Sequence, residues 1–356
     1  MRRREKVLLF HTAFPGDIIL ALPLLQVLRA HAEDCIVSVV ATPAAAGVLE
    51  NHPAIDEVIL YDKRGGNRGL SGMMTMSRRL RNEKFGVALV PHRSLRSAFI
   101  TSRAGIPRRI GFSTSAGKWL LTDRVPYRGR DHEIRRNLEL LRPLGLDPPD
   151  FEYPRVYPDD ADRVRVDELL QSRSPVSQAF DPRKMAAIAP GSVWMTKRWP
   201  QERYEELGRL LVEDGFSLAL IGGREDRVLC HSIAEGVPRN RTVVAAGELS
   251  LLQSAELIRR CRVAVSNDSA PMHLAVAVQT PVVALFGPTV PEFGFAPRGE
   301  RDVVLGVPDL SCRPCSIHGG DRCPIGSFDC MVGLTAEMVR AHIKNTLNGT
   351  QNPHQR

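Results

Sequence analysis

A cluster of small polar residues precedes a short apolar helix candidate in the segment Ser266–Ala277 (SNDSAPMHLAVA). The apolar run before it predicts a strand, and Asp268 or Ser269 is a natural N-cap for a helix with Pro271 near its first position. A helix N-terminus offers free N–H groups and the positive end of the helix dipole, which suits a phosphate. His273 lies four residues after Ser269, so both side chains share one helix face. The segment is a candidate anion site; the alternative is an ordinary capped helix with a buried histidine.

Two cations lie in a second candidate segment, the loop 190–200 (PGSVWMTKRWP). The run Met185–Ala189 before it predicts a buried strand, and the spacing of apolar residues over 201–213 predicts a helix after it. Lys197 and Arg198 therefore lie where a strand passes into a helix, and in open α/β sheets ligands bind at that carboxyl edge. A solvated cationic pair is the alternative, although two of the three tryptophans flank this pair.

A third turn of this kind follows the strand candidate Lys6–His11. Gly16 permits a tight turn, and Asp17 stands at the entrance of the helix predicted over 18–31. Pro23 predicts that this helix starts late or kinks. Plain N-capping would explain Asp17, but a capping carboxylate can also do chemistry. Because the chain has no G-x-G-x-x-G, this turn is not a dinucleotide fingerprint.

A basic, glycine-rich segment, DKRGGNRG at 62–69, follows another strand candidate. Its cations Lys63, Arg64 and Arg68 are close in sequence and can bind an acidic sugar or a phosphate group. The glycines allow mobility. A solvated loop is the alternative.

Strand and helix candidates alternate along the chain, which is typical of parallel sheets in doubly wound α/β domains. The predicted strands are 6–11, 36–40, 56–60, 86–90, 185–189, 217–221, 242–245, 262–266 and 282–285. The predicted helices are 18–31, 71–82, 132–142, 161–171, 201–213, 225–234, 251–259, 270–278 and 334–347. The sequence therefore predicts two Rossmann-like domains with a boundary within 172–184.

Length and composition limit the class of protein. A chain of 356 residues with 43% hydrophobic and 25% charged residues is expected to form two globular domains. No run approaches the ~20 apolar residues of a membrane span, and the apolar part of the basic start MRRREKVLLF is too short for a secretory signal. We therefore expect a cytoplasmic protein.

The net charge of +8 indicates an anionic partner. Aromatic residues make up only 6% and no nucleic-acid motif is present, so no nucleic-acid partner is expected. A phosphorylated or acidic acceptor fits the charge, and so does peripheral contact with an anionic membrane surface.

Four of the seven cysteines are clustered with the spacing C-x2-C-x7-C-x6-C, and His318 lies among them: Cys312, Cys315, Cys323 and Cys330. The first close pair suits zinc, but the second half lacks its own C-x2-C. A disulfide is disfavoured in the cytosol. Reduced cysteines are therefore expected, with a structural metal as the open alternative.

Together these segments resemble the glycosyltransferase family 9 heptosyltransferases, which build the inner core of lipopolysaccharide. The resemblance runs from about residue 6 to about residue 345 and depends on the order and spacing of its motifs. They are Gly16-Asp17, DKRG at 62–65, AGIPRRIGF at 104–112, HEIRRNLELLRPLG at 132–145, Lys197-Arg198-Trp199-Pro200, and Asn267-Asp268-Ser269 with His273. The chain departs from the family at Ala270-Pro271, where many members carry glycine and a different apolar residue.

The resemblance implies the GT-B fold, in which two Rossmann-like domains face each other across a cleft. It implies an acceptor-binding domain at 1–172, a linker at 173–184 and a donor-binding domain at 185–335. A helix at 336–347 would pack back on the first domain, and 348–356 would form a disordered tail.

The implied reaction is metal-independent transfer of heptose from ADP-L-glycero-D-manno-heptose to the lipopolysaccharide core, with inversion and without a cofactor. Asp17 would take the proton from the acceptor hydroxyl, and Lys197 with helix N–H groups would stabilise the departing diphosphate. The expected donor site is Gly191, Ser192, Lys197, Arg198, Glu225, Asp268, Ser269, Ala270 and His273. Glu225 or Asp226 would hold the ribose. The expected acceptor site is Gly16, Lys63, Arg64 and Arg68.

Two other classes of function stay open. Another nucleotide-sugar enzyme of the same fold, with a different donor or with epimerase activity, would use the same phosphate edge but would not require a basic acceptor face. A non-catalytic nucleotide-binding protein would show no turnover and would be indifferent to Asp17.

Overall fold

The computed structural model describes residues 4–173, 180–181 and 184–348. The chain divides after Tyr157 into two compact units, each with its own sheet. Most of the expected linker 173–184, and the expected tail beyond Asn348, lie outside the described residues. Within the described ranges, no helix is both long and apolar enough to span a bilayer.

The first unit is built on six parallel strands. In chain order they are β1 (Lys6–Phe10), β2 (Ile36–Ala41), β3 (Glu57–Leu60), β4 (Val87–Val90), β5 (Arg108–Phe112) and β6 (Asp123–Val125). Their order across the sheet is β3-β2-β1-β4-β5-β6, and every adjacent pair is parallel. The central strands are apolar throughout because helices cover both faces of a parallel sheet.

Five helices accompany this sheet: α1 (Pro15–His31), α2 (Pro43–Ala46), α3 (Gly69–Glu83), α4 (Leu95–Arg103) and α5 (Glu133–Glu139). Helix α1 begins at Pro15 and runs through Pro23, so the late start was wrong, and the alternative of a kink at Pro23 stays a prediction. Eleven of the 17 residues of α1 are buried, including every residue from 18 to 25, and tertiary packing of this extent outweighs the cost of one proline within the helix. The sequence reasoning also missed α2, α4, β5 and β6.

The second unit repeats the same architecture. Its strands are β7 (Met185–Ala189), β8 (Ser217–Leu220), β9 (Thr242–Val244), β10 (Val263–Asn267), β11 (Val282–Leu285) and β12 (Val303–Leu305). Read from β9, their order is β9-β8-β7-β10-β11-β12, which is the order of the first sheet with β7 in the place of β1. Of these strands only β12 was not predicted.

The helices of the second unit are α6 (Asp160–Arg173), α7 (Gln201–Glu213), α8 (Arg227–Glu235), α9 (Leu251–Arg260), α10 (Ala270–Ala277), α11 (Asp329–Val332) and α12 (Ala336–Leu347). Helix α6 packs on α9, where Arg260 pairs with Asp167 and donates to the carbonyl of Arg163 at 3.0 Å. These contacts assign α6 to the second unit. The division between the units therefore lies before this helix. The sequence analysis had placed it after the helix, within 172–184.

The last helix, α12, packs on α7. Asp214, which follows α7, accepts from Arg340 at 2.6 Å and lies 2.9 Å from the ammonium of Lys344. The expected return of this helix to the first domain stays a prediction.

The strand order fixes where a ligand can be held in each unit. In both sheets the order reverses between the first and fourth strands, and ligands of open α/β sheets bind at the carboxyl ends of strands beside such a switch point. The relevant loops follow β1 and β4 in the first unit and β7 and β10 in the second. Asp17 follows β1, Lys197 follows β7, and Asp268 follows β10.

Candidate functional site

Asn267 joins the two loops beside the switch point of the second sheet. It ends β10 and is fully buried. Its Nδ2 donates to the carbonyl of Pro190 at 2.8 Å. Its Oδ1 accepts from the backbone N–H of Trp199 at 3.2 Å and from the hydroxyl of Tyr204 at 2.9 Å. One side chain therefore fixes both ends of the loop 190–200 against β10.

Lys197 is held at the end of β10 by an ion pair. Its Nζ lies 2.6 Å from Oδ2 of Asp268, and the same oxygen accepts from Oγ1 of Thr289 at 2.7 Å. The Lys197 and Asp268 side chains are only 12% and 9% exposed. Desolvation offsets much of the attraction in such a pair, so its short distance is weak evidence for a contribution to stability.

Helix α10 starts beside this pair. Ser269 occupies the N-cap position, as predicted, but its side chain does not cap the helix; its hydroxyl lies 3.4 Å from the carbonyl of Gly191. Ala270 is the first helical residue, and the first turn contains the expected proline. The Ser269 side chain therefore accepts no hydrogen bond from the N-terminal N–H groups of α10.

His273 is buried within the first turns of α10. Burial lowers its pKa to about 4; the nearby Asp268 carboxylate opposes this shift, and the Lys197 cation adds to it. The imidazole is therefore neutral at neutral pH. A neutral imidazole offers one donor and one acceptor, and it adds no charge to the site.

Gly191 makes room for a buried carboxylate. A Cβ atom at this position would lie only 2.2 Å from the carboxyl group of Asp226. Asp226 accepts from the N–H of Gly223 at 3.0 Å, lies 4.0 Å from Arg198, and has its pKa raised by burial. Glu225, by contrast, is exposed. Of the two acids left open by the sequence, Asp226 lies against the loop and Glu225 faces solvent.

Arg198 is turned back on its own loop. Its Nε donates to the carbonyl of Ser192 at 2.8 Å, and Oγ of Ser192 accepts from the N–H of Trp194 at 3.3 Å. The neighbouring Trp199 lies in the core, where its indole N–H donates to the carbonyl of Leu334 at 3.0 Å. Two adjacent cations thus have different environments, with Lys197 at the sheet edge and Arg198 within the loop.

Replacing Asn267 by alanine is expected to destabilise the protein by about 2–4 kcal/mol. The substitution leaves the Pro190 carbonyl, the Trp199 N–H and the Tyr204 hydroxyl without this partner, and each buried unsatisfied group costs ~1–3 kcal/mol. Urea unfolding followed by circular dichroism measures the loss. The exposed Asn240 supplies the matched control, since Asn240→Ala removes an asparagine without these contacts. Equal stabilities of the two variants would contradict the role of Asn267.

Asp17 lies in the first turn of α1, which confirms its predicted place at the helix entrance. Its Oδ2 accepts from the N–H of Phe14 at 3.2 Å, and the preceding Gly16 is buried in the turn. The side chain is half-buried. The carboxylate therefore supports the loop after β1 while part of it stays open to solvent.

Lys63 reaches the same loop. Its Nζ donates to the carbonyl of Thr12. Burial lowers the pKa of Lys63, the cations of Arg96 and Arg64 lower it further, and the Asp17 carboxylate raises it. Lys63 and Asp17, predicted from different segments, thus lie within electrostatic reach of each other.

Arg64 and Arg68 are exposed. Their segment is organised by Asp62, whose Oδ1 accepts from the N–H groups of Arg64 and Gly65 at 3.2 and 2.9 Å. Asn67 accepts in turn from the N–H of Asp62 at 3.3 Å. The segment is a hydrogen-bonded turn that presents two cations to solvent.

Two histidines that the sequence reasoning did not select flank the first switch point. His11 follows β1 and His92 follows β4, and their rings stack with centroids 6.2 Å apart. Burial lowers the pKa of His11 to about 3 and that of His92 to about 4. Beside them, the Arg93 guanidinium lies 4.0 Å from the ring centre of Tyr127. In the sequence, His11 and His92 could have been selected because each follows a predicted strand. Their proximity could not be predicted, because only the strand order shows that β1 and β4 are neighbours.

The two sheet edges carry different chemistry. The second edge combines a cation, a helix N-terminus and a neutral imidazole, which together suit a diphosphate. The first edge places a carboxylate among cations, which suits proton transfer from a hydroxyl of an anionic substrate. Residues 4–173, 180–181 and 184–348 contain no group of three His, Cys, Asp or Glu side chains arranged to hold a metal ion.

Two Rossmann-like units with these edges define a glycosyltransferase of the GT-B fold. Residues 73–320 match the family model described as Glycosyltransferase family 9 (heptosyltransferase), and the chain belongs to this family. The family resemblance carried by the sequence motifs is thereby confirmed.

The chain is similar over most of its length to known proteins. It is 28% identical over 347 residues to lipooligosaccharide heptosyltransferase 2 of Haemophilus influenzae, which covers 96% of this chain and 99% of the relative. Its fold matches the glycosyl transferase family 9 structure from Veillonella parvula with a TM-score of 0.86, 23% identity and coverage of 98% of this chain and 99% of the other. It also matches E. coli ADP-heptose lps heptosyltransferase II with a TM-score of 0.77, 23% identity and coverage of 97% and 99%.

Proposed function

We propose that this enzyme transfers a heptose from ADP-L-glycero-D-manno-heptose to a hydroxyl of the lipopolysaccharide inner core, with inversion. The observation that carries the proposal is the Lys197–Asp268 pair, 2.6 Å apart, beside the N-terminus of α10. An ammonium group and helix N–H groups recognise a diphosphate without a metal ion. The names of two similar proteins, heptosyltransferase 2 and ADP-heptose lps heptosyltransferase II, support the choice of donor and acceptor.

On the donor side, Lys197 stabilises the leaving group. The bond between the anomeric carbon and the diphosphate oxygen breaks, and negative charge grows on that oxygen. Lys197 and the N–H groups around Ser269 and Ala270 stabilise this negative charge. Their interaction with the diphosphate is therefore stronger in the transition state than in the bound donor. Neutral His273 adds a hydrogen-bonding group. The exposed Glu225 is the candidate for the ribose hydroxyls, because Asp226 is buried against Gly191.

On the acceptor side, Asp17 acts as the general base. It takes the proton of the acceptor hydroxyl as the hydroxyl oxygen attacks the anomeric carbon. The Lys63 ammonium lies within electrostatic reach of this carboxylate. Gly16, buried in the first turn of α1, is the neighbouring residue proposed for the acceptor site.

The acceptor is an anionic glycolipid, so we include peripheral contact with the inner-membrane surface in the proposal. Large apolar side chains are 45–66% exposed at or near the carboxyl edge of the first sheet: Phe14, Leu70, Leu95 and Trp119. Leu70 follows the basic segment 63–68 by two residues, and Lys63 of that segment donates to the carbonyl of Thr12 in the loop that contains Phe14. Apolar side chains together with cations bind anionic bilayers more strongly than either does alone.

The test of the proposed function is ADP release from ADP-heptose with and without a core acceptor. Release that depends on the acceptor, with a product heavier by one heptose, supports transfer. Isomerised nucleotide-sugar without acceptor would indicate an epimerase, and tight ADP binding without turnover would indicate a binding protein. A chelator should leave the rate largely intact, whereas loss with EDTA and recovery with magnesium would contradict the donor chemistry given above.

Neutralising Arg64 and Arg68 together is expected to raise the acceptor KM about tenfold and to flatten its salt dependence. Both cations are exposed, and exposed charges attract an anionic acceptor in a way that salt screens. The donor KM should barely change. The matched control is Arg78→Ala with Arg79→Ala, which removes two exposed cations of α3. A loss of donor affinity with normal acceptor KM would reverse the assignment of the two domains.

A further inference from the structure

The segment 312–320 is hydrogen-bonded to the loop that carries Lys197. The backbone N–H of Thr196 donates to the carbonyl of Gly320 at 3.0 Å, and the N–H of Gly320 donates to Oγ1 of Thr196 at 2.8 Å. The Thr196 hydroxyl also donates to the Gly320 carbonyl at 3.0 Å. Thr196 is only 4% exposed. The residue next to Lys197 is therefore fixed to the segment by its backbone and by its side chain.

Gly319 comes close to the side chain of Lys197 itself. A Cβ atom at this position would lie 3.2 Å from Cγ of Lys197 and 3.1 Å from Oγ1 of Thr196. The φ of Gly319 is +90°, a conformation that glycine adopts without steric cost. A lysine side chain has many rotamers, so a backbone packed close to its Cγ restricts where the ammonium group can lie.

The same segment reaches Asp268, the partner of Lys197, through the loop after β11. Arg313 donates to the carbonyl of Thr289 from Nη2 at 2.9 Å and from Nε at 3.1 Å. Oγ1 of Thr289 donates to Oδ2 of Asp268 at 2.7 Å, and that oxygen lies 2.6 Å from Nζ of Lys197. Thr289 therefore joins the Arg313 guanidinium to the ion pair, with its carbonyl bonded to one and its hydroxyl bonded to the other.

The segment itself lies at the surface of the second unit. Residues 312–320 form neither helix nor strand, and Cys315, Ile317 and His318 are exposed. The two threonines that it contacts are buried, since Thr196 is 4% exposed and Thr289 is 2% exposed. These hydrogen bonds therefore link an exposed segment to both members of the Lys197–Asp268 pair.

We propose that Thr196 and Arg313 are positioning residues of the donor site, through which the segment 312–320 holds the Lys197 ammonium at the diphosphate. The inference rests on the proposed role of Lys197 toward the donor. Thr196 acts on the backbone beside Lys197, and Arg313 acts on Asp268 through the loop after β11. Because a misplacement of about 1 Å can cost ~10²-fold in rate, loss of either contact should lower turnover in a folded enzyme.

The experiment compares Thr196→Val with Thr196→Ser in the full-length enzyme. Valine removes the hydroxyl that is bonded to Gly320, whereas serine retains it. Steady-state ADP release from ADP-heptose with a core acceptor gives kcat and KM, and calorimetry gives the Kd of ADP and of adenosine. We expect Thr196→Val to lower kcat about 10- to 100-fold and to raise the Kd of ADP several-fold. The Kd of adenosine should barely change, and Thr196→Ser should restore near-normal values.

A double-mutant cycle tests whether Thr196 acts through Lys197. In the background of Lys197→Ala, Thr196→Val should cause no further change in kcat or in the ADP Kd, because the group that it positions is absent. Independent sites give additive effects, whereas coupled sites do not. Additive losses would show that Thr196 acts by another route and would overturn the proposal.

Thr280→Val is the matched control for a purely structural loss. Thr280 is also 4% exposed, and its hydroxyl donates to the carbonyl of Ile258 at 2.9 Å. It precedes β11, whereas Thr196 follows β7, so it lies at the opposite end of the parallel strands. Thr280→Val should lower thermal stability as Thr196→Val does but leave kcat and the ADP Kd unchanged. Equal losses of kcat in the two variants would overturn the proposal.

Arg313→Met tests the second route and decides the proposal should Thr196→Val fail to fold. Methionine removes the donors to Thr289, so the ADP Kd should rise while the adenosine Kd stays nearly constant. Arg322→Met removes an exposed cation of the same region and should have neither effect. A normal kcat in folded Thr196→Val or Arg313→Met would overturn the role of that residue. If Lys197→Ala itself leaves the ADP Kd unchanged, the proposed function fails instead, since there is then no phosphate-binding group to position.

Discussion

Asp17→Asn is expected to lower turnover by roughly 10²–10⁴-fold, the range for loss of a general base. The amide cannot take the acceptor proton, but its oxygen can still accept from the N–H of Phe14, as Oδ2 of Asp17 does at 3.2 Å. The fold of the first unit should therefore persist. ADP affinity should be unchanged because the variant leaves the loops after β7 and β10 intact. Steady-state ADP release and calorimetric ADP binding measure the two effects separately.

A second substitution separates the two roles of this carboxylate. Asp17→Ser places a short hydroxyl at the third position of α1 and supplies no base, so it should lower turnover as much as Asp17→Asn does. Thermal unfolding of both variants should lie close to that of the unmodified enzyme. Near-normal turnover in either folded variant would remove Asp17 from the reaction and leave it as a capping residue only.

Lys197→Ala is expected to lower turnover by roughly 10²–10³-fold, the range for loss of one group that stabilises developing charge. In the proposed site the Lys197 ammonium binds the diphosphate, whose negative charge grows as the bond to the sugar breaks. Binding of ADP should therefore weaken clearly, and binding of adenosine should barely change. Equal weakening of ADP and adenosine binding would show that Lys197 does not recognise phosphate.

The buried partner of Lys197 requires its own control. Removing only the lysine leaves the Asp268 carboxylate, 9% exposed, without its cation, and an unpaired buried charge can cost 3–5 kcal/mol. The double variant Lys197→Ala with Asp268→Asn removes that charge and should restore stability but not turnover. Arg198→Ala is the matched neighbouring cation, and its effect should be smaller because Arg198 is turned toward the Ser192 carbonyl.

The sequence by itself determined the fold class and the two loops of the donor edge. Parallel strands buried on both faces give continuous apolar runs such as Met185–Ala189 and Val282–Leu285, and these runs alternate with helical periodicity. Because ligands bind where strands end, Lys197 and Asp268 could be selected from their positions alone. Motifs without such periodicity were missed, as in β5 (RRIGF), where charged residues and a glycine interrupt the apolar pattern.

The tertiary structure decided which of these residues meet. Asn267 contacts residues that precede it by 63 to 77 positions, and the strand order that makes β7 and β10 neighbours creates those contacts. The strand order of the first sheet likewise brings His11 beside His92. Local patterns encode periodicity and capping, which depend on residues a few positions apart. The pairing of distant segments depends on which strand lies beside which, and that is fixed only when the whole sheet packs.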